Sequence, residues 1–401
     1  MRNERSQLNY TLAVLVLAGG GTAAASTYSV VYSFTGGAGG ANPNTPLIRD
    51  SSGNLYGTTV NGGNTACEGG CGIIFKVTPG GKLTVMYNFT GGADGANPYT
   101  GLFQDSAGNF YGSTAFGGAK GNGVVFELDT TGTETPLYTF QGGADGANPY
   151  SALVQDAGGN LYGTTAFGGA VTSGFPSGCG VVFKIDTGGT FSVVHTFTGG
   201  TDGATPYGGV ILDSRGNLYG TAEFGTPFND GVVYRINTTG HFKTLYTFQR
   251  GTGGANPYAG LFRDSHGNLY GTTVFGGSSG SGTVYKLRTN GTLDLLHSFT
   301  GGSDGGNPYG GVYVDLGTDG GTQSFGPIHG AFVYGTTQVG GSGGDGVVYR
   351  VQTPENTLVV EENFTGLNGA GPVTTMTKLS ILDGTTAKGG ASGAGLIYKF
   401  R

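Results

Sequence analysis

The side chains best suited to chemistry in this 401-residue chain sit in one recurring phrase, Asp-Gly-x-Asn-Pro-Tyr. Asp94, Asn97 and Tyr99 stand in FTGGADGANPY, and Asp145, Asn148 and Tyr150 stand 51 residues later in FQGGADGANPY. Further copies bring Asp202 with Tyr207, Asn256 with Tyr258, and Asp304 with Asn307 and Tyr309. Gly39 and Gly253 take the place of the Asp, and Thr205 once takes the place of the Asn. Such groups can bind a hard cation through oxygen, stack sugar rings on tyrosine, or close turns on their own backbone while Gly supplies positive φ. One Asp and one Asn per copy fall short of the roughly six to eight oxygens that Ca²⁺ takes, so Ca²⁺ is the weakest of these and no cofactor is expected. Turn closure leads, because a loop that serves geometry must repeat and a specific site need not. The tyrosines, helped by Phe116, Phe167, Phe224 and Phe275, keep sugar stacking open.

Catalytic constellations are poor. His195 and His297 stand where Tyr87, Tyr138 and Tyr246 stand in other copies, so they are expected as aromatic substitutes. His241, His266 and His329 lie apart from one another, giving neither a metal set nor a triad. Asp105, Asp156, Asp213 and Asp264 open D-x-x-G-N hairpins, where Asp is expected for turn chemistry. No carboxylate pair of the glycosidase type is singled out. Of three cysteines, Cys67 and Cys71 bracket a short loop that suits a disulfide in an exported chain, while Cys179 occupies the same repeat position as Cys71 and is left unpaired.

The elements that position these residues repeat as well. Strand-like runs ending in Phe (YSVVYSF at 28–34, LTVMYNF at 83–89) precede the glycine-rich phrase. A run such as PYTGLFQD follows it, then NLYGTT, then GVVF or a relative ending at Phe75, Phe126, Phe183, Tyr234, Tyr285, Tyr349 and Tyr398. Four short strands per period of about 50 residues is the pattern of a β-propeller blade. The first strand run is of the fourth type and the last, GLIYKFR, is of the third, so run 28–34 is expected to complete the final blade and close a seven-bladed, all-β ring. With first strands innermost, the glycine-rich phrases and the AFGG connections share one face. Loop insertions at 61–71 and 168–179 fall there too, and a third, at 317–330, falls on the opposite face.

Residues 1–25 combine a basic start, the short apolar run TLAVLVLAGGG and TAAAS, as in a cleaved secretory leader; a bilayer span needs about 20 apolar residues. The expected organisation is a leader, 1–25, and one propeller domain, 26–401, in the periplasm, cell envelope or outside the cell, with no membrane span after cleavage. Charged residues are only 11% and net charge is −6, which excludes the basic footprint of a nucleic-acid partner.

The ordered set GNLYGTT, then GGxxGxGVVFxL, then LYSFTGGADGANPYxGLxxDSxGN resembles the GloVer tandem-repeat family of glycine-rich secreted proteins, over about residues 28–401. The resemblance implies an extracellular location and a propeller-like repeat architecture, and it carries no assigned activity or catalytic residues. Family members bear varied C-terminal sorting segments, and this sequence departs from that pattern in stopping at Arg401 directly after its last strand run. The function expected is that of a monomeric, non-enzymatic binding or display module, with extracellular or envelope polysaccharide as partner. The alternatives are a channel-centred enzyme (lyase, hydrolase or lactonase), marked by polar residues unique to one or two blades at the axis, and a structural or adhesive surface protein.

Overall fold

Residues 27–316, 330–378 and 382–400 are described by the computed structural model. They build seven four-stranded antiparallel sheets, each a blade of one propeller. In the second blade the strands Phe103–Gln104, Phe110–Thr114, Val124–Leu128 and Glu134–Thr139 lie side by side in chain order. The closing blade is composite, as the strand count requires. Tyr28–Ser33 pairs antiparallel with Leu396–Phe400, which pairs with Leu382–Thr386 and so to Thr377–Lys378. Ring closure removes two sheet edges that a linear array would leave open.

Each repeated residue has a packing role. The Phe that ends every fourth strand is fully buried and meets the third-strand aromatic of the next blade, edge-on in six pairs and tilted for Phe364 with Tyr398. Phe34 with Phe75, Phe89 with Phe126, Phe197 with Tyr234 and Phe364 with Tyr398 have ring centroids 5.1, 5.2, 5.3 and 5.4 Å apart. The third-strand ring in turn lies over the glycine of NLYGTT. A Cβ at Gly112 would come 2.6 Å from Phe126 Cζ, and one at Gly220 2.5 Å from the Tyr234 hydroxyl, so no larger residue fits. The threonine that follows ties blade to blade: Thr164 Oγ1 donates to Pro206 O at 2.8 Å and Thr221 Oγ1 to Ala259 O at 2.9 Å.

The closing blade departs from the pattern to good effect. Where other blades carry the tyrosine of NLYGTT it carries Asp383, whose side chain is 1% exposed. Arg49 of the first blade reaches it with two nitrogens, Nε to Oδ2 at 2.7 Å and Nη2 to Oδ1 at 2.5 Å. The replacement makes an ion-paired seam between the last blade and the first. The expected leader, residues 1–25, and most of the insertion at 317–330, with His329, lie outside the described residues.

Candidate functional site

The Asp-Gly-x-Asn-Pro-Tyr loops ring one face, and each of their side chains has a separate duty. Asn42, Asn97, Asn148, Asn256 and Asn307 all adopt left-handed backbone, with φ of 58, 53, 54, 60 and 52°. Asn tolerates this region better than other side chains. From there each amide reaches across to the previous blade: Asn148 Nδ2 donates to Ala115 O at 2.8 Å, Asn97 to Val60 O at 2.9 Å and Asn307 to Val274 O at 3.0 Å. Thr205, at φ 57°, holds the same conformation without the amide.

The aspartates turn outward. Asp94 accepts from Thr90 N at 2.7 Å and from the Tyr87 hydroxyl at 3.1 Å, and Asp145 accepts from Gln141 N at 2.7 Å and the Tyr138 hydroxyl at 3.0 Å. His195 and His297 meet the same carboxylates: their Nε2 atoms lie 3.2 and 3.0 Å from Asp202 and Asp304 Oδ2. They do the work of the tyrosine they replace. The loop carboxylates are thus spent on their own turns and outer strands. Among the described residues no group of three or more His, Cys, Asp or Glu gathers as a metal set.

The tyrosines alone point inward, and the structure brings them together. Tyr99, Tyr150, Tyr207, Tyr258 and Tyr309 form an unbroken arc around the axis, with successive ring centroids 5.2, 5.3, 4.7 and 5.2 Å apart. Asn44 and Val373 hold the same repeat position in the first and last blades, so the arc is open there. Beneath it the blades abut through backbone: a Cβ on Gly208 would stand 2.5 Å from Ala259 O, and one on Gly260 2.6 Å from Gly208 O. This close approach explains the glycine-rich first strands. All five tyrosines are half-buried, and burial raises the pKa of each, that of Tyr150 to about 12. Among the described residues none of these five hydroxyls has a hydrogen-bond partner.

Outside the arc lies a rim of phenylalanines. Phe116 and Phe167 each pack edge-on against the tyrosine of the following blade, Tyr150 and Tyr207, at 6.3 Å. Phe116 and Phe275 remain 39% and 45% exposed. In the insertion on this face at 61–71, Cys67 and Cys71 are joined by a disulfide; Cys179 is free and buried.

One residue that sequence reasoning passed over completes the site. Glu223 occupies the position held by Val60, Ala115, Ala166, Val274, Gln338 and Ala387 in the other blades. It is 7% exposed, and its negative charge raises the pKa values of Tyr207, Tyr258 and Tyr309. Glu223 therefore lies near enough to the arc for its charge to act on these phenols. Burial, with no compensating partner, pushes its own pKa up to about 7. The signal was visible as GTAEF in place of GTTAF.

Comparison with known proteins agrees with this architecture. The family model described as the Gloeobacter/Verrucomicrobia repeat matches residues 21–174, 166–330 and 254–401. No protein of curated function matches the chain. Among solved structures, an oligogalacturonate lyase from Vibrio parahaemolyticus is similar at 11% identity and TM-score 0.54, with 94% of each chain covered. The extracellular domain ascribed to a one component system of B. thetaiotaomicron is similar at 10% identity and TM-score 0.54, over 92% of this chain and 39% of that one. At such identities the likeness is one of fold. The tandem matches span nearly the whole sequence, and the chain belongs to the Gloeobacter/Verrucomicrobia repeat family.

Proposed function

We propose that this protein is an exported, non-enzymatic propeller that binds a sugar chain of extracellular or cell-envelope polysaccharide across its loop face. The observation that carries the reading is the arc of five tyrosines, flanked by the phenylalanine rim, on a face whose Asp and Asn side chains are committed to the scaffold. Rings with an apolar face and an unengaged hydroxyl suit stacking on a pyranose with a hydrogen bond at its edge. The apolar run at residues 11–21 and the family membership support export.

The test is binding of the purified protein to a panel of immobilised polysaccharides, repeated with Tyr150→Asn/Tyr207→Asn, which installs the residue that Asn44 supplies in the first blade. Binding should weaken about tenfold or more, equivalent to about 1.4 kcal/mol of lost ring contact, while circular dichroism shows the fold retained. No binding to any glycan, or binding indifferent to these tyrosines, refutes the reading.

Glu223 favours one second reading, an enzyme centred on the axis. A carboxyl with a pKa of about 7 beside phenols is suited to general acid–base work near neutral pH. Product formation from a bound glycan that is abolished in Glu223→Gln would establish it.

A further inference from the structure

The loop between the fourth and fifth blades breaks the repeat in a concerted way. It reads FQRGTGGANPY where others read FTGGADGANPY, so Gly253 removes the loop carboxylate and Arg250 stands where Gly36, Gly91, Gly142, Gly199 and Gly301 stand. Those glycines have φ of 77, 78, 83, 75 and 79°, and Arg250 has been forced into the same left-handed region, at φ 50°. A long side chain in that conformation is strained, and strain of this kind persists where function holds it.

The residue facing this glycine position varies around the ring, and in the sixth blade it is an aspartate, Asp345, opposite Gly366. A Cβ on Gly142 would meet Asn122 Nδ2 and one on Gly301 would meet Ser281 Oγ. Before the fourth blade's GVVY the corresponding residue is Asp230, wholly buried. Asp230 Oδ1 accepts from Arg250 Nε at 3.0 Å, while its Oδ2 is buried without a protein partner. The Arg250 side chain is 77% exposed. A buried carboxylate gripping Nε fixes the guanidinium plane and leaves the outer nitrogens as a fork. That fork lies in an open groove on the loop face, lined also by Phe224, Asn229, Asn256 and Phe275.

We infer that this groove is a subsite for a negatively charged sugar unit: Arg250 takes its carboxylate or sulfate through the outer guanidinium nitrogens, and Phe224 and Phe275 flank the ring. The inference rests on the proposed glycan binding and names the class of glycan. A planar, oriented arginine recognises a planar anion bidentately, and the loss of the loop Asp removes the charge that would repel it.

The test compares a uronic-acid hexasaccharide, its carboxyl-reduced neutral counterpart and a sulfated hexasaccharide by titration calorimetry at two salt concentrations. Arg250→Gly alone would strand buried Asp230, so the variant is Asp230→Asn/Arg250→Gly, which copies the Asn122 and Gly142 pair of the second blade. The wild type should bind an anionic hexasaccharide about tenfold or more tighter than the neutral one, and the double variant should lose that preference while keeping neutral binding. Arg250→Lys, which keeps the charge without the fork, should retain only part of it. The anionic arm that binds identifies the acidic group. Equal binding of charged and neutral chains overturns the subsite and leaves the glycan-binding reading standing, whereas binding of none removes both.

Discussion

Replacing Glu223 by Gln should remove a defined part of the protein's pH sensitivity. The carboxyl is 7% exposed and burial raises its pKa from 4.5 to about 7. A raised acid pKa means that the folded state prefers the protonated form. The stability it confers is complete below the unfolded value and is lost as pH rises through about 7. A shift of about 2.5 units at about 1.36 kcal/mol per unit is about 3 kcal/mol in full, of which about 2–3 kcal/mol falls between pH 5 and pH 8.5. Glu134 and Glu362, also raised to about 7 chiefly by burial, add a similar slope to both proteins and cancel in the difference. Gln338 already occupies this position in the sixth blade, so the amide fits the scaffold. Urea unfolding can be followed by tyrosine fluorescence, since the chain has 22 tyrosines and no tryptophan. Wild type should lose about 2–3 kcal/mol more than Glu223→Gln over that pH range. Equal losses would show that the carboxyl is solvated or paired, and the reading of this site would fall.

Two further outcomes follow from the packing. The hydroxyls of Tyr234, Tyr285, Tyr349 and Tyr398 are buried with no protein partner, where Phe75, Phe126 and Phe183 serve in the first three blades. Tyr285→Phe should therefore raise stability by about 1 kcal/mol in chemical denaturation; a loss would reveal that a buried water satisfies the hydroxyl. Arg49→Ala should destabilise by about 3–5 kcal/mol, because it strands the Asp383 carboxylate inside the closing seam, and Arg49→Ala/Asp383→Tyr, which restores the residue of the other blades, should recover much of it. Thermal melts of both variants decide this, and an unchanged melt for Arg49→Ala would show that the seam does not depend on the pair.

The fold was legible because a ring needs the same contacts seven times. Glycine under the third-strand ring, phenylalanine at the end of the fourth strand and asparagine at the blade junction each answer one steric or hydrogen-bonding demand, so they recur at one spacing. The strand run at 28–34 was legible for a topological reason, since an unpaired fourth strand at one end fits an incomplete blade at the other. The site was less legible. Asp94, Asn97 and Tyr99 look like one functional group in sequence, yet their side chains run to the outer strand, the previous blade and the axis. Three residues within six positions diverge because the loop bends sharply through its glycines. Glu223 and Asp383 were not legible as functional or structural choices, because each replaces a repeated residue and a lone replacement looks the same in sequence as drift.

Replacement is the more informative signal here when it carries a physical cost. A repeat that merely drifts exchanges side chains at positions that tolerate exchange. Between residues 205 and 253 the exchanges run the other way. Thr205 places a β-branched residue at φ 57°, and Glu223 buries a carboxyl with no compensating partner. Asp230 buries another, and Arg250 occupies a glycine conformation. Each lowers the stability of a scaffold whose other copies show a cheaper solution, and all four lie on the loop face of the fourth blade and its junctions. Comparable costs occur elsewhere in the ring, in half-buried Glu134 and Glu362 and in the unpartnered hydroxyls of Tyr285, Tyr349 and Tyr398. The four exchanges between residues 205 and 253 gather beside the closest-stacked pair of the tyrosine arc, Tyr207 and Tyr258, the sector that holds the proposed anionic subsite.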